Sequence, residues 1–115
     1  MATFTLRISC DQATIDSNNA ESDEKSYIIS LTYSNKIVMK KVYETSSKWV
    51  DVPFGDIISA DFVRMTADQD IDVRVNGETV ARTELRDLLI RAKITQMQLR
   101  NNSGSQATVE VELYA

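Results

Sequence analysis

Hydrophobic and polar residues alternate along most of the chain, which is the pattern of half-buried β-strands. The segments "TFTLRIS", "SYIISLTYS" and "KIVMKKVYET" in the first half all show it. Ser34-Asn35 separates the last two, and we expect these segments to form a hairpin at that turn. Residues 11–24 are polar and acidic, and we expect them to form a long loop.

The stretch "DIDVRVNGETV", from Asp70 to Val80, carries the clearest hairpin signal in the chain. Its apolar residues alternate up to Asn76-Gly77, which favours a two-residue turn with positive φ at both central positions. "KWVDVPF" and "DFVRMTA" before it are shorter strand candidates. "KITQMQLRN" and "ATVEVELYA" flank a second turn sequence, and we expect them to form a closing hairpin.

One segment, "TELRDLLIRA", is ambiguous. Leu85, Leu88, Leu89 and Ala92 fit one face of a helix, with Thr83 as a cap, whereas the neighbouring segments are all strands. The pattern predicts an all-β protein, an antiparallel β-sandwich or jelly roll of about eight strands, with either a short helix or an irregular strand near 83–92. The length of 115 residues predicts a single domain over 1–115.

Composition narrows the chemistry that the chain can perform. It has no histidine, the usual general base near neutral pH, and its single cysteine, Cys10, rules out an intrachain disulfide. We interpret Cys10 as a small hydrophobic residue. Gly55, Gly77 and Gly104 lie too far apart for a phosphate-binding loop. The sequence therefore predicts a protein that is not an enzyme and needs no cofactor or metal.

Two chemical alternatives stay open. The oxygen-rich run from Asp16 to Ala20 is a possible calcium loop, although it lacks the spacing of the helical calcium-binding motif. A hydrolase would need a pair of carboxylates, and several aspartates between residues 51 and 72 are candidates: Asp51, Asp56, Asp61, Asp68, Asp70 and Asp72.

Charge is distributed in blocks of alternating sign. Residues 11–24 carry only acids, 36–48 mainly lysines, 51–72 mainly aspartates and 82–100 mainly basic residues, with a net charge of −4. This balance argues against nucleic-acid binding, and no apolar run is long enough to cross a membrane. The blocks can pair across strands of one subunit or between subunits. The candidate interface residues are Lys36, Lys40, Lys41, Lys48, Arg74 and Arg100.

The second half of the chain, from Asp61 onward, resembles small β-rich structural proteins of tailed bacteriophage virions. The likeness lies in the strand pair around "VRVNG" and the closing pair around "LRNNSGSQATVEV", and "KIVMKKVYETSSKWVDVPFGDI" adds to it. It implies a non-enzymatic capsid decoration or cement protein, with a tail or head-tail connector component as the alternative.

The resemblance also implies partners and a location. The partners would be other copies of the chain, as a homo-oligomer, and a major capsid or tail protein. The protein would be made in the host cytoplasm, where the lack of a recognisable secretion signal would leave it, and would end in the virion. A carbohydrate-binding module that stacks sugars on Trp49, near Tyr43 and Phe54, is the alternative from another class.

Overall fold

The computed structural model describes the backbone of residues 2–15 and 20–115, and the side chains of residues 2–5 and 30–115. The described residues form eight strands and no helix, so none of them belongs to a helix that could cross a membrane. The strands are β1 (Ala2–Ile15), β2 (Ala20–Tyr33), β3 (Lys36–Tyr43), β4 (Val50–Asp51), β5 (Ala60–Val75), β6 (Arg82–Ile94), β7 (Met97–Arg100) and β8 (Ala107–Tyr114). The predicted all-β antiparallel fold of about eight strands is confirmed.

The chain divides into two compact units, Met1–Ser34 and Asn35–Ala115. In the first, β1 and β2 pair antiparallel over their whole length, from Ala2 opposite Tyr33 to Ile15 opposite Ala20. The prediction of a single domain over 1–115 stays a prediction.

The predicted loop over 11–24 is wrong for the residues on either side of its centre. Residues 11–15 and 20–24 are paired strand, because backbone hydrogen bonds continue a ladder once its register is set, whatever the side chains are. Residues 16–19, which hold most of the proposed calcium loop, and the side chain of Cys10 lie outside the described residues.

The second unit is an antiparallel sheet in which strands continue one another end to end. β7 pairs with Asp72–Val75 of β5, and β8 pairs with Phe62–Ala67 along the same edge of β5. On the outside of this row, β4 pairs with β7 and β3 pairs with β8, while β6 covers the opposite edge of β5. Between the strands that follow one another, the pairing is interrupted in three segments, residues 44–49, 67–71 and 101–106. We call these three segments the bend. The antiparallel strands curl into a half-barrel.

Two predicted hairpins are wrong. β2 and β3 flank Ser34-Asn35 but pair with β1 and β8, and the backbone of Asn35 bonds with Ala115 in both directions. β7 and β8 lie one after the other along β5 instead of side by side. In the first case β2 pairs with the preceding strand β1, and in the second β7 and β8 both pair with β5, so neither turn sequence joins two strands that pair with each other.

The hairpin at Asn76-Gly77 is confirmed. Asn76 has φ 52° and Gly77 φ 69°, and the Glu78 amide donates to the Val75 carbonyl across the turn. This positive-φ pair matches the right-handed twist of the flanking strands, so β5 reverses directly into the chain that leads to β6.

The helix alternative near 83–92 is wrong, since these residues belong to β6. Register shifts between β5 and β6 explain the helix-like spacing. The shift between the Thr66–Asp87 and Ile71–Leu85 pairs separates Leu85 from Leu88, and both pack against the core although they are three residues apart; Glu84, with φ 58°, lies at the second shift.

The core lies on one face of the curled sheet. Its buried members come from every strand row of the second unit and from the bend, with Val63, Met65 and Ile71 of β5 at the centre. The others are Tyr43, Val52, Ile57, Ala60, Val73, Val75, Ile94, Met97, Leu99, Ala107, Val109, Val111 and Leu113. The alternation of β5, β7 and β8 therefore predicted their inward residues correctly.

Candidate interaction surface

β3 is an end strand of the sheet, with only its β8-facing edge paired among the described residues. It is eight residues long, and its pairing with β8 runs from Lys36–Tyr114 to Tyr43–Ala107 without a register shift. Val38 and Val42 on this strand are 48% and 50% exposed. A straight edge with large exposed apolar side chains is suited to pairing with another strand.

A groove of about 430 Å³ lies beside this edge. Its walls are mainly apolar and come from β3, β8 and the end of β4: Met39, Tyr43, Val52, Pro53, Val109 and Val111. Lys40 and Lys41 also line it. The groove therefore combines an apolar wall with two ammonium groups. We call β3 and this groove together the β3 edge.

The lysines predicted as interface residues are exposed and form no ion pair with the described side chains. Among the residues whose side chains are described, no carboxylate lies within 4.0 Å of Lys36, Lys40, Lys41 or Lys48. The Nζ atoms of Lys36 and Lys41 lie 5.2 Å from the ring centres of Tyr114 and Tyr43, at cation–π distance. Burial raises the pKa of the Tyr43 phenol, so this ring is neutral beside Lys41.

Arg74 and Arg100 are placed elsewhere, on the face of β5 and β7 that lies opposite the core residues Val73 and Leu99. Their guanidinium carbons lie 4.4 and 4.5 Å from the ring centre of Trp49. Arg74 donates from Nε and Nη2 to the Gln98 Oε1, and Gln98 donates in turn to Asp51. The Trp49 cluster consists of these residues and Asp72.

Asp72 anchors the other side of the Trp49 cluster. Its Oδ2 accepts from Arg100, at 3.0 Å from Nε and 2.9 Å from Nη2, and its Oδ1 accepts from the Glu84 amide at 3.2 Å. Asp72 is buried, so the ion pair loses hydration and relies on this set of hydrogen bonds. The carboxylate also satisfies a backbone donor in the β6 bulge.

Two of the four charge blocks pair within the chain. Asp70 and Asp72 bind Arg86 and Arg100, so acids of the 51–72 block neutralise bases of the 82–100 block across strands. The lysine block on β3 forms no ion pair with the described side chains, although Lys40 lies directly across from Glu110 on β8. The structure therefore divides the six candidate residues in two. Arg74 and Arg100 are held by hydrogen bonds within the Trp49 cluster, whereas the four lysines form no ion pair with the described side chains.

The two chemical alternatives can be compared with this geometry. Trp49 is half-buried and already contacts two guanidinium groups, so a sugar would have to displace them to stack there. Of the six candidate aspartates, four accept hydrogen bonds from partners within the sheet: Asp51 from Gln98, Asp68 from the Thr108 amide, Asp70 from Arg86 and Asp72 from Arg100. These bonds account for the four residues structurally.

Sequence reasoning missed two asparagines that fix the sheet. The Asn76 side chain donates to the Lys93 carbonyl and accepts from the Thr95 amide, which ties one turn to the β6–β7 connection. Asn101 is buried at the bend, where its amide donates to the carbonyls of Tyr43 and Ser105. Both asparagines were visible in the sequence only as turn residues.

Among the residues whose side chains are described, no group of three or more Cys, Asp or Glu residues is placed to hold a metal ion. Comparisons of the chain with protein family models, curated proteins and solved structures found no match.

Proposed function

We propose that the protein is a non-enzymatic structural component of a tailed bacteriophage virion, which decorates or cements the capsid through contacts between subunits. The observation that carries the proposal is the β3 edge: a regular strand with one edge unpaired among the described residues, with exposed valines and with four lysines on or near it that form no ion pair with the described side chains. Together with the resemblance of residues 61–115 to β-rich virion proteins, it favours a role in assembly.

The physical basis is that main-chain hydrogen bonds and an apolar groove give affinity, while local charge selects the partner. A shell presents each contact many times, so modest individual contacts add up to durable attachment. A cement protein needs such surfaces and a rigid scaffold behind them, and the half-barrel core supplies the scaffold.

Particle association tests this proposal directly. The purified protein is mixed with virions or empty capsids assembled by the phage that encodes it, the particles are pelleted, and bound protein is quantified by mass spectrometry. We expect saturable binding at a fixed number of copies per particle. Recovery of the protein only in the supernatant, and its absence from purified virions, would refute the proposal.

The same fractions distinguish capsid from tail. Binding to tailless heads supports decoration or cementing, whereas binding that requires tails or the neck supports the connector alternative. Either result keeps the protein in the structural class, and only the first supports the leading assignment.

A further inference from the structure

We propose that the β3 edge binds a second copy of this chain, through the acidic part of that copy's β1–β2 hairpin, by strand addition along β2. The inference deepens the proposed function, since it names one partner of the surface on which that function rests. It also has its own test, because self-association can be measured without any capsid.

The first step is that the lysines of the β3 edge do more than prevent unwanted pairing. Natural sheets blunt their edges with charges, prolines, bulges or short strands. β3 has lysines, but it runs for eight residues without a register shift or proline, and it exposes two valines. Protection of an edge explains the charges and leaves the exposed valines and the adjoining groove unexplained.

The opposite edge of the sheet supports this distinction. β6 is interrupted by register shifts to β5, and Arg82 and Arg86 on it form ion pairs with Glu78 and Asp70. It is therefore blunted by bulges and its charges are partly compensated. β3 has neither feature, so it is the edge better suited to pairing.

The second step is the identity of the occupant. Lysines that form no ion pair among the described side chains, on an edge that is open to another strand, favour an acidic strand. The chain contains one: residues 11–24 hold five acids and no base, and β2 begins with "AESDE". In the described residues, β2 pairs on one side only, with β1, so its other edge has no strand partner there.

The third step is a specific register. In an antiparallel pairing that places Lys41 opposite Asp23, the next pair is Lys40 opposite Glu24, so both lysines meet acids. The pairing would also extend the two-stranded β1–β2 sheet of that copy into a sheet with more strands, which adds backbone hydrogen bonds along β2. Charge and strand number therefore favour the same contact.

The symmetry of this contact has a consequence for assembly. The hairpin of one copy meets a different surface, the β3 edge, on the next copy, so the contact is head to tail. It either closes into a ring or a reciprocal pair, or continues as an open chain. Each of these is a form in which copies can link over a shell.

Charge reversal tests the contact. The full-length protein is compared with the double variant Lys40→Glu/Lys41→Glu and with Asp23→Lys/Glu24→Lys by sedimentation velocity over a range of concentrations. We expect the wild type to self-associate and each variant to do so at least about tenfold more weakly, because two favourable cross-strand pairs become like-charge pairs. An equimolar mixture of the two variants should form a mixed complex.

The matched control is Arg91→Glu/Lys93→Glu, which makes the same charge change at exposed positions on β6. It should associate like the wild type. A wild-type protein that stays monomeric at every concentration would overturn the inference, as would a control that weakens association as much as the β3 variant. Variants that fail to fold are identified by circular dichroism, and the mixing experiment then rests on single reversals at Lys41 and Asp23.

Crosslinking tests the register and the identity of the occupant. In a Cys10→Ser background, an Asp23→Cys copy is mixed with a Lys41→Cys copy under mild oxidation, and we expect a disulfide-linked heterodimer. Lys93→Cys replaces Lys41→Cys as the control. No crosslink above the control would refute contact between copies. Capsid binding that persists without self-association would refute this inference and leave the proposed function standing.

Discussion

Asn101 is a small polar residue whose replacement should strongly lower the stability of the second unit. The side chain is 3% exposed and uses all its hydrogen-bonding capacity. Its Nδ2 donates to the Tyr43 carbonyl at 2.9 Å and the Ser105 carbonyl at 2.8 Å, and its Oδ1 accepts from the amide and hydroxyl of Ser103. The Asn101 carbonyl also accepts from the Ser46 amide. One residue thus joins the β3–β4 and β7–β8 connections at the bend.

Asn101→Asp keeps the shape and removes both donors. It places a carboxylate oxygen where the amide nitrogen now faces two carbonyl oxygens, while the acceptor bonds from Ser103 are retained. Each buried polar group left without a partner costs about 1–3 kcal/mol. With two carbonyls losing their donor, and the new charge buried beside them, we expect a loss of roughly 3–5 kcal/mol in the free energy of unfolding.

Urea denaturation followed by the fluorescence of Trp49 measures this loss, with circular dichroism as a second probe. For a protein of this size the slope is about 1–1.5 kcal/mol per molar urea, so the midpoint should fall by roughly 2–5 M. The penalty should shrink in acid, since a protonated carboxyl regains one donor. Asn102→Asp, at the exposed neighbouring position, is the control and should shift the midpoint little. Equal losses for the two variants would show that the bend does not depend on Asn101.

Three further predictions follow from the same geometry. Val73 is fully buried, so Val73→Asp should lower the free energy of unfolding by more than about 4 kcal/mol, whereas Arg74→Ser, on the other face, should lower it by about 1 kcal/mol through the lost bonds to Gln98. Equal losses in urea titrations would contradict the assigned facing. Asn76→Gly keeps the positive φ and loses the bonds to Lys93 and Thr95, so it should cost about 1–2 kcal/mol, and Asn76→Ala about 1 kcal/mol more, in thermal unfolding. The Val75 amide and then Arg82 lower the pKa of Glu78 below 4.5, so the ionised Glu78 side chain stabilises the fold above that pH and this contribution is lost as pH falls through the lowered pKa. The difference in Tm between wild type and Glu78→Gln should therefore vanish in acid, and a difference that persists there would refute this.

The strands could be predicted from the sequence because alternation is a local property. The inward residues of β5, β7 and β8 follow a period of two, and Asn76-Gly77 fixes its own backbone geometry. The helix alternative near 83–92 arose because bulges shift the period, and a bulge leaves no local signature when a non-glycine residue such as Glu84 adopts the positive φ.

Strand pairing could not be predicted in the same way. A turn sequence shows where the chain bends but leaves open which strand lies beside which. The segment 101–106 contains turn residues, yet it connects two strands that follow each other along β5, and the bond that holds it reaches Tyr43, 58 positions away. The Trp49 cluster is equally non-local, since its residues come from the β3–β4 connection, β4, β5 and β7. The sequence shows which residue types the cluster contains, but whether they come together depends on the register of β7 against both neighbouring strands.

The pairing pattern also decides which charges are left for recognition. A chain with a net charge of −4 repels its own copies at long range, so association between copies needs local complementarity that exceeds this repulsion. Asp70, Asp72, Arg86 and Arg100 contribute little, because they are already paired within the sheet. The lysines of the β3 edge are unpaired among the described side chains, and they lie beside an apolar groove. Salt weakens an ionic contact and leaves an apolar one intact, so the share of binding that survives at high ionic strength reports the contribution of the groove.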